Sequence, residues 1–487
     1  MSVDVDADAE TDLAPGLERA FEIKVAEGDF DVEPEGELPE WLAGTYFLNG
    51  PSHFPTVDGR HAYRHWLDAD GAVSRLRFGG GGVRFTHRFV QSRKRLDEGG
   101  AGRLLYRGFG TSFEGDRLKR GIGLESPVNV SAFRFGDQLL AFGEQGLPYA
   151  LDPVTLETRG EYDFGGRLNA ISPLSAHPGF DRSGRELFNF GISFSARQPS
   201  LTLYRFSSDD LVYRRRHPLP YPCSTHDFML SGRYAVFYLS PHVLDVDSML
   251  RGGESVNGSL RWRPELGARL LVFERGDGAL RADIPIDGVG GSGYCLHLIN
   301  AFEADDRLTV DVVELERPVY DQYQPVPDLF VDAPSGGPRR YEVDLDAGAV
   351  VSKRSIDYEL CPDFPAVRPQ DAERPYDDLW LLGISAAGRR GRKFFDQLAH
   401  LRWSAPDAPD VWTAPAGGYL GGEPVFLSNP EDPGDGLILC QLFEAPRRES
   451  SFLLFDAARV ADGPVSRLPL EHPMPLGFHA VYYPDVE

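Results

Sequence analysis

The chain has 487 residues, of which 41% are hydrophobic and 11% aromatic, and its formal net charge is −24. Its length exceeds the roughly 250–300 residues at which a single hydrophobic core usually stops growing, unless repeats divide the core. The acidic balance argues against a nucleic-acid partner, because phosphate binding needs clustered Lys and Arg. A membrane-spanning helix is not expected either, since the sequence has no run of about 18 apolar residues.

The N-terminal stretch MSVDVDADAETDLAPG has five acidic residues among its first twelve and lacks the basic and apolar regions of a secretory signal. We therefore expect residues 1–20 to form an acidic, disordered tail and residues 21–487 to form a single domain. The expected location is cytoplasmic, with peripheral contact on the inner face of the cell membrane as an extension of that expectation.

Lysine and cysteine usage add two expectations. Only five of the fifty basic residues are Lys. An acidic surface with so little lysine is typical of a salt-adapted proteome, so we expect a haloarchaeal source, and an ordinary acidic protein from a GC-rich genome is the alternative. The four cysteines, at positions 223, 295, 361 and 440, form no C-x-x-C pair and are predicted to be buried free thiols.

A strand, a turn rich in Asp, Gly or Ser, and a returning strand recur along the chain, which also contains 53 glycines and 38 prolines. Short alternating segments separated by turn residues favour an all-β fold. In chain order, the predicted hairpins are HWLDADGAVSRLRF from His65, YALDPVTLETRGEYDF from Tyr149, LYRFSSDDLVYRRRHPL from Leu203, LVFERGDGALRADIPI from Leu271, YEVDLDAGAVVSKRSI from Tyr341, LRWSAPDAPDVWTAP from Leu401 and FLLFDAARVADGPVSRLPL from Phe452.

These hairpins are on average about 65 residues apart, which is long enough for a four-stranded blade with an inserted loop. Because one hairpin cannot bury its own face, neighbouring blades must stack and the ring must close. The sequence therefore predicts a seven-bladed β-propeller. A large multi-sheet all-β fold, in which Asp-Gly hairpins recur by chance, is the alternative.

Four of the twelve histidines, His177, His226, His297 and His479, lie in or beside apolar, strand-like stretches. A propeller would bring its inner strands to a common axis, where four neutral imidazoles could surround one metal ion. Taken alone, each is more readily explained as a structural histidine, because gaps of 49, 71 and 182 residues match no local metal motif. The other eight are expected to be solvated or capping: His53, His61, His65, His87, His217, His242, His400 and His472.

From about Glu37 to the C-terminus the chain resembles the carotenoid cleavage oxygenases. The resemblance begins with LPEWLAGTYFLNGPSHF and the His65-Trp66-Leu67-Asp68 stretch, and continues through SPVNVSAFRFGDQLLAFGEQGLPYALDPVTLETRG. The four histidine contexts then follow in family order and end with GFH near the C-terminus. The resemblance implies an all-β, seven-bladed propeller whose loops and short helices form a cap over an iron site, in agreement with the hairpin count.

By this resemblance the four histidines are the ligands of one Fe(II) ion per chain, and O2 is a co-substrate. Glu144, Asp363 and Glu423 stand where the family has carboxylates that accept hydrogen bonds from the far ring nitrogens of three of the histidines. Such partners fix the tautomer and orientation of an imidazole. Asp363 replaces the family's usual Glu. Its side chain is one methylene shorter, so we expect it to reach its histidine only through a backbone shift or a water.

The activity implied is oxidative cleavage of a conjugated C=C bond in a carotenoid or apocarotenoid, with both atoms of O2 entering two carbonyl products, retinal among the options. An apolar tunnel would position the polyene over the metal. Three alternatives stay open: a stilbene-cleaving dioxygenase, a retinoid isomerase or hydrolase on the same site, and a propeller that serves as a binding scaffold without enzymatic activity.

Carotenoids dissolve in membranes, so the resemblance also implies an entrance patch. The stretch SPHVLDVDSMLRGG resembles the family region after the second histidine. Its apolar residues are predicted to form a small face against the bilayer: Val243, Leu244, Val246, Met249 and Leu250. An ordinary packed insertion helix is the equal alternative.

Overall fold

The computed structural model describes residues 12–57, 60–121, 123–195, 197–288, 291–320 and 325–485. Its strands, in chain order, are β1 (Gly28–Val32), β2 (Glu35–Gly36), β3 (Gly44–His53), β4 (Thr56–Val57), β5 (Arg60–His61), β6 (Asp70–Gly79), β7 (Gly82–Phe89), β8 (Ser131–Phe135), β9 (Gln138–Phe142), β10 (Tyr149–Leu151), β11 (Thr158–Glu161), β12 (Gly179–Phe180), β13 (Glu186–Ser193), β14 (Ser200–Ser207), β15 (Asp210–Pro218), β16 (Met229–Leu230), β17 (Tyr234–Leu239), β18 (His242–Leu244), β19 (Leu260–Trp262), β20 (Ala268–Glu274), β21 (Leu280–Ile286), β22 (Tyr294–Ala304), β23 (Arg307–Leu315), β24 (Gly336–Asp344), β25 (Ala349–Ser355), β26 (Asp363–Ala366), β27 (Asp378–Gly383), β28 (Gln397–Arg402), β29 (Asp410–Thr413), β30 (Gly418–Ser428), β31 (Gly436–Glu444), β32 (Glu449–Asp456), β33 (Pro464–Pro469) and β34 (Ala480–Pro484). Its α-helices are short: α1 (Glu18–Phe21), α2 (Arg93–Ala101), α3 (Val246–Leu250) and α4 (Val256–Ser259).

Seven antiparallel sheets of four or five strands make up the body of the molecule. From inner to outer strand they are β34-β3-β6-β7-β1, β8-β9-β10-β11, β12-β13-β14-β15, β16-β17-β20-β21, β22-β23-β24-β25, β26-β27-β28-β29 and β30-β31-β32-β33-β2. The inner strands touch their neighbours in sequence around an axis, as in the series β22, β26, β30, β34 and β8. The predicted seven-bladed β-propeller is therefore confirmed.

The ring is closed by both ends of the chain. The last strand, β34, pairs with β3 and so completes the first blade. The early strand β2 pairs with β33 and so completes the last blade. Closure of this kind leaves no blade without a neighbour on either side, which is what a propeller needs to bury its sheet faces.

The composition of each strand follows its place in the blade. All six residues of β17, YAVFYL, are buried, because neighbouring blades cover both faces of a middle strand. The outer strand β25, AVVSKRS, has only half-buried and exposed residues. Continuous apolar runs therefore mark the middle of a blade and mixed sequences mark its rim.

Six of the seven predicted hairpins are outer strand pairs of six different blades, but the first is wrong. Trp66–Asp68 is a 3-10 helix, and the second half of that motif is β6, whose hairpin partner is β7. The reason is a local capping box: the His65 ring accepts a hydrogen bond from the backbone N of Leu67, and the Asp68 carboxylate accepts one from the backbone N of His65. Such local hydrogen bonds compete with strand pairing.

Part of the predicted N-terminal tail, residues 12–20, belongs to the described structure. Residues 1–11 lie outside the described residues, but residues 12–20 are packed against the propeller. Leu17 is fully buried, and the backbone N of Leu13 donates to the carbonyl of Arg392. The apolar side chains in this segment explain the correction, since burying Leu17 offsets the cost of ordering the backbone.

The predicted environment of the other histidines is partly wrong. His65 is a cap, as expected, but His87, His242 and His400 are buried rather than solvated. The His87 ring lies 2.8 Å from the Ser74 hydroxyl, and Nε2 of His400 lies 2.8 Å from the Asp378 carboxylate. Neighbouring polar or turn residues in the sequence therefore did not predict exposure. The four cysteines are buried free thiols, as predicted.

Candidate metal centre

Four inner strands bring His177, His226, His297 and His479 together at the axis of the propeller. His177 and His479 come shortly before β12 and β34, His226 lies ahead of β16, and His297 lies within β22. One nitrogen from each ring lies within 4.8 Å of the corresponding nitrogens of the others. The Nε2 atoms of His177 and His226 are 2.9 Å apart. Residues separated by up to 302 positions in the chain thus form one cluster.

Three of the rings make a hydrogen bond to one of the predicted carboxylates, on the side of the ring away from the centre of the cluster. Nδ1 of His226 lies 2.9 Å from Glu144, Nδ1 of His297 lies 2.5 Å from Asp363, and Nδ1 of His479 lies 3.3 Å from Glu423. Because Nδ1 is engaged in each case, the Nε2 atom is the one left for the centre of the cluster.

The donor set fits a bound metal ion. Nε2 of His297 is buried and has no hydrogen-bond partner among the described residues. A buried polar atom without a partner is costly, and coordination of a cation would satisfy it. Four neutral imidazoles suit iron, cobalt, zinc or copper, and the carboxylates behind them supply the negative charge that the inner ring lacks.

Asp363 reaches His297 directly, in spite of its shorter side chain. The backbone around it is irregular: the pairing of β26 with β27 shifts register between Asp363 and Ala366, and Phe364 has a left-handed φ of 55°. A left-handed non-glycine residue next to the carboxylate fits the backbone shift that the sequence predicted. The predicted need for an intervening water is not met, since the two atoms are in hydrogen-bond contact.

A fourth carboxylate, Asp227, was missed by the sequence analysis. Its Oδ1 lies 3.7 Å from Nδ1 of His177, the only ring without one of the three predicted partners. Its two oxygens also accept hydrogen bonds from the backbone N of Phe228 and of Leu298, the residue after His297. Asp227 therefore links the segments that carry three of the four histidines. Its position directly after His226 in the sequence was the available signal.

Backbone contacts at the ring closure fix His479. Its N donates to the carbonyl of Val130, and its carbonyl accepts from the N of Asn49. Gly477 and Gly50 make this possible, because a Cβ atom on Gly50 would lie 2.6 Å from Cα of Gly477. The two backbones approach so closely because Gly50 has no side chain, and a Cβ on Gly477 would lie 2.7 Å from the Leu48 side chain. The GFH motif of the sequence thus has a steric reason.

Burial and neighbouring charge set the protonation of the cluster. Burial, reinforced by the other histidines, moves the pKa of His177 well below its usual value. Burial alone would also lower the pKa of His226, but Glu144 and the acids behind it raise that pKa overall. Burial would raise the pKa of Asp363, but the contact with His297 lowers it overall. The shifts thus favour a neutral His177 and an ionised Asp363, while the neighbouring acids favour the charged form of His226 until a cation takes its place.

Two cavities meet beside the cluster. His226, His297 and His479 line one of about 60 Å³, together with aromatic residues such as Phe364 and Phe478. The other, of about 310 Å³, shares Leu67, Phe109, Glu144 and Ser224 with the first. An extended apolar molecule could therefore lie in the larger cavity and place a few atoms beside the histidines.

The predicted cap is formed chiefly by the segment between β17 and β20, which contains β18, α3, α4 and β19, and by the loop around Phe109. Its core is one apolar cluster of Leu244, Met249, Val256 and Leu260, with Phe109, Leu124, Phe194 and Val246 packed against it. This arrangement corrects part of the predicted membrane face. Leu244 and Met249 are 2% and 6% exposed and point into the cap, whereas Leu250 is 39% exposed.

The physical reason is that Met249 of α3 and Leu244 of β18 pack into the apolar cluster of the cap, so that Leu250 is the apolar residue of α3 left exposed. Leu250 and Ile171, which is 49% exposed, both line the larger cavity. In the part of the chain that the structure describes, no helix has the length and apolar composition needed to cross a bilayer.

Comparison with known proteins agrees with this architecture. The apocarotenoid-15,15'-oxygenase of Synechocystis is 28% identical over 95% of this chain and 94% of its own length. The lignostilbene-α,β-dioxygenase isozyme III of Sphingomonas paucimobilis is 26% identical over 93% of this chain and 94% of its own. The structure of cobalt-substituted Synechocystis apocarotenoid oxygenase superposes with a TM-score of 0.86 at 26% identity, covering 98% of this chain and all of that one.

The family profile of the retinal pigment epithelial membrane protein matches residues 21–484, which spans all seven blades and the four clustered histidines. The chain therefore belongs to the family of the retinal pigment epithelial membrane protein, to which the carotenoid oxygenase resemblance had pointed.

Proposed function

We propose that this protein is an Fe(II)-dependent dioxygenase that cleaves a conjugated C=C bond of a carotenoid or apocarotenoid to two carbonyl products. The observation that carries the proposal is the four-histidine cluster with its outer carboxylates, beside an apolar cavity. A solved relative of the same fold is a cobalt-substituted apocarotenoid oxygenase, which supports metal binding by this chain.

His177, His226, His297 and His479 would hold the iron, one ion per chain. Ferrous iron supplies activation of O2, which amino-acid side chains alone cannot perform. Glu144, Asp363 and Glu423 act by orienting three of the rings and keeping their Nε2 atoms unprotonated toward the metal. The protein needs no general base for this chemistry, and none of the described carboxylates faces the cavity without a histidine partner or a structural one.

The chain's other contribution is to position the substrate. The larger cavity would hold the polyene, and the walls that it shares with the smaller one would decide which double bond lies beside the metal. Holding the reacting atoms in one geometry can supply several kcal/mol of barrier lowering, on the order of 7–11 in favourable intramolecular cases. Apolar walls also exclude water from the reacting segment.

Aerobic incubation of iron-loaded protein with a panel of carotenoids and apocarotenals, followed by product analysis, tests the proposal. We expect aldehyde or ketone products in which both new oxygens carry label from 18O2. Turnover that proceeds without O2 would contradict it and favour a retinoid isomerase or hydrolase. Protein prepared with iron available that contains no stoichiometric metal would contradict it in favour of a binding scaffold.

A stilbene is the second candidate substrate. The relative from Sphingomonas paucimobilis is a lignostilbene-α,β-dioxygenase, and a short molecule could place a single central double bond in the small cavity at the histidines while the rest of it extends into the larger one. Hydroxylated stilbenes in the same panel distinguish the two candidates, since cleavage of stilbenes with no cleavage of any polyene would overturn the carotenoid assignment.

We also propose peripheral membrane contact around Leu250 and Ile171, at the mouth of the larger cavity, with Val243 and Val246 half-buried nearby. Two exposed apolar side chains give only weak adsorption, because bilayer binding scales with buried apolar area. Co-sedimentation with neutral phosphatidylcholine vesicles tests this, with the double variant L250S/I171S as comparison; equal sedimentation of both proteins would contradict it.

A further inference from the structure

The small cavity at the histidines contains polar side chains that the proposed function does not use. Its cap side is lined by His242 of β18, Asn257 of α4, Tyr294 at the start of β22, and Tyr320. None of the four is a neighbour of a clustered histidine in the chain, and none is one of the outer carboxylates.

These side chains have no protein partners for their polar groups. Nδ2 of Asn257 is buried without a hydrogen bond, and Asn257 itself is 6% exposed. The His242 ring and the Tyr294 and Tyr320 hydroxyls are not fully enclosed in the same way, but within the described ranges they make no hydrogen bond, and all three side chains line the cavity. His242 and Tyr294 are 5% and 6% exposed, with ring centroids 5.8 Å apart in an edge-to-face contact.

An unpaired donor in a buried site costs free energy unless a ligand completes it. A buried unpaired amide, beside three other side chains that can donate into the same small cavity, therefore indicates a group that brings an acceptor atom into it. Leu260, Leu296 and Phe364 supply apolar surface to the same cavity. A suitable occupant therefore has an oxygen atom on a mainly apolar molecule.

The charges of the cavity define what kind of oxygen fits. No Lys or Arg lines the cavity among the described residues, whereas Glu144 and Asp363 do. Burial lowers the pKa of His242 to about 4 and raises that of Tyr294 well above its usual value, so both are uncharged near neutral pH. Away from the metal, a carboxylate would lie near Glu144 and Asp363 with no Lys or Arg beside it, while a neutral carbonyl or hydroxyl would find groups that can donate to it.

The size of the cavity limits where that oxygen sits in the substrate. At about 60 Å³ it has room for only a handful of non-hydrogen atoms. The same cavity is lined by His226, His297 and His479, so an atom bonded to Asn257 or Tyr294 is only a few covalent bonds from one beside the metal.

We infer that His242, Asn257, Tyr294 and Tyr320 form a subsite for a neutral oxygen atom, carbonyl or hydroxyl, that the substrate carries within a few bonds of the cleaved double bond. This inference rests on the proposed function and narrows it to oxygen-bearing substrates. The oxygen has two possible sources, the aldehyde of a short apocarotenal or the phenol of a hydroxystilbene.

The test uses the iron-loaded protein and two substrate pairs, each differing by one oxygen: 4-hydroxystilbene with stilbene, and an apocarotenal with the matching hydrocarbon polyene. The variants are Tyr294→Phe and Asn257→Leu, which remove polar atoms and keep most of the volume. The control is Tyr46→Phe, because the Tyr46 hydroxyl is equally buried and unpaired but lines neither cavity.

Dissociation constants are measured without O2 by quenching of tryptophan fluorescence, and kcat/KM is measured in air. We expect each site variant to bind the oxygen-bearing member of at least one pair about tenfold more weakly, the effect of one buried hydrogen bond, and to bind the oxygen-free member within about twofold of the parent. The pair that responds identifies the source of the oxygen. Tyr46→Phe should change neither.

Equal losses on both members of each pair, or no loss on either, would overturn the subsite. Equal losses of kcat/KM with unchanged dissociation constants would instead mean that these groups act on O2. The subsite and the proposed function can fail separately. Selective binding of the oxygen-bearing substrates without cleavage would support the subsite and contradict the dioxygenase activity. Cleavage without that selectivity would support the dioxygenase activity and contradict the subsite. Iron content and thermal unfolding of each variant identify one that fails to fold, in which case the other variant decides.

Discussion

The inner ring of the propeller and the cap above it are built in opposite ways. In the ring, the clustered histidines sit on or beside strands that are paired in hydrogen-bonded ladders, and carboxylates hold three of the rings from behind. In the cap, helices of four and five residues and a two-stranded ladder are joined by loops and share one small apolar cluster.

The ring and the cap therefore suit two different tasks, metal binding and substrate binding. A metal centre needs its donor atoms fixed closely, which ladders and buried hydrogen bonds provide. A substrate cavity needs a shape that can vary between relatives without disturbing the metal, and loops on a rigid scaffold provide that. We therefore expect substitutions in the ring to change metal binding, and substitutions in the cap to change substrate selectivity alone.

The largest effect is expected from removal of a ring histidine. Each of the single variants His177→Ala, His226→Ala, His297→Ala and His479→Ala should lose stoichiometric iron and at least a hundredfold in activity, because even outer partners of a metal site contribute about 10–100-fold. Elemental analysis and turnover measure both. The exposed His472→Ala is the control. Full activity in all four site variants would refute the assignment of the site.

A graded effect is expected from the outer carboxylates. Asp363→Asn should weaken iron binding most, and Glu423→Gln least, because their distances to the histidine are 2.5 and 3.3 Å. Losses of about 10–100-fold in affinity are typical of such partners. Competition with a chelator measures the affinities. The reverse order, or no change in any variant, would mean that these contacts do not orient the ligands.

A smaller and different effect is expected from Phe109→Ala in the cap. Phe109 lines both cavities, so its truncation would join them and loosen the hold on the substrate. We expect kcat/KM to fall about tenfold while iron content stays that of the parent, since a misplaced substrate loses rate without loss of the metal. Loss of iron in this variant would show that the ring and the cap are not independent.

The smallest effect concerns pH and global stability. Burial lowers the pKa of His87 and of His242 to about 4 in the folded protein. The unfolded chain takes up protons near pH 6.5 and the folded protein does not, so stability falls as the pH drops below about 6.5. The loss is about 1 kcal/mol per histidine between pH 7 and pH 5.5.

Urea unfolding of the parent and of His87→Gln at the two pH values isolates one such contribution. The variant should lose about 1 kcal/mol less than the parent over this interval. His472→Ala, which removes an exposed histidine, should keep the parent's pH dependence. Identical pH dependence in the parent and in His87→Gln would contradict the buried, neutral state of His87.

Much of the ring was predictable from local sequence. Hairpins with Asp, Gly or Ser turns can be recognised from the sequence, because strand alternation and turn residues involve only a few neighbouring positions. Six of the seven predicted hairpins were placed correctly. The exception, at His65, shows the limit of that signal: side-chain capping by His65 and Asp68 replaced the first strand. Asp363 was identified through its family position alone, and its 2.5 Å contact depends on an irregular strand that no motif describes.

For the cap, less of the structure could be predicted from the sequence. The apolar side chains of Leu244 and Met249 were evident in the sequence, but not whether they faced outward or inward, since a five-residue helix has too few turns for an unambiguous apolar stripe. Asp227, Asn257 and Tyr294 were not singled out, because an unpaired or bridging polar group is defined only by what surrounds it.

The sequence by itself determined the number of blades, the family and the identity of the four histidines. The number of blades follows from the turn residues of the hairpins, and the family and the histidines follow from short motifs. Only the tertiary structure decided which atoms meet. His177 and His479 become neighbours through ring closure by β34, and polar side chains of the cap and of β22 come to face the same cavity as the histidines. Distances and burial arise from the packing of seven sheets around one axis, a global condition that no local stretch of chain contains.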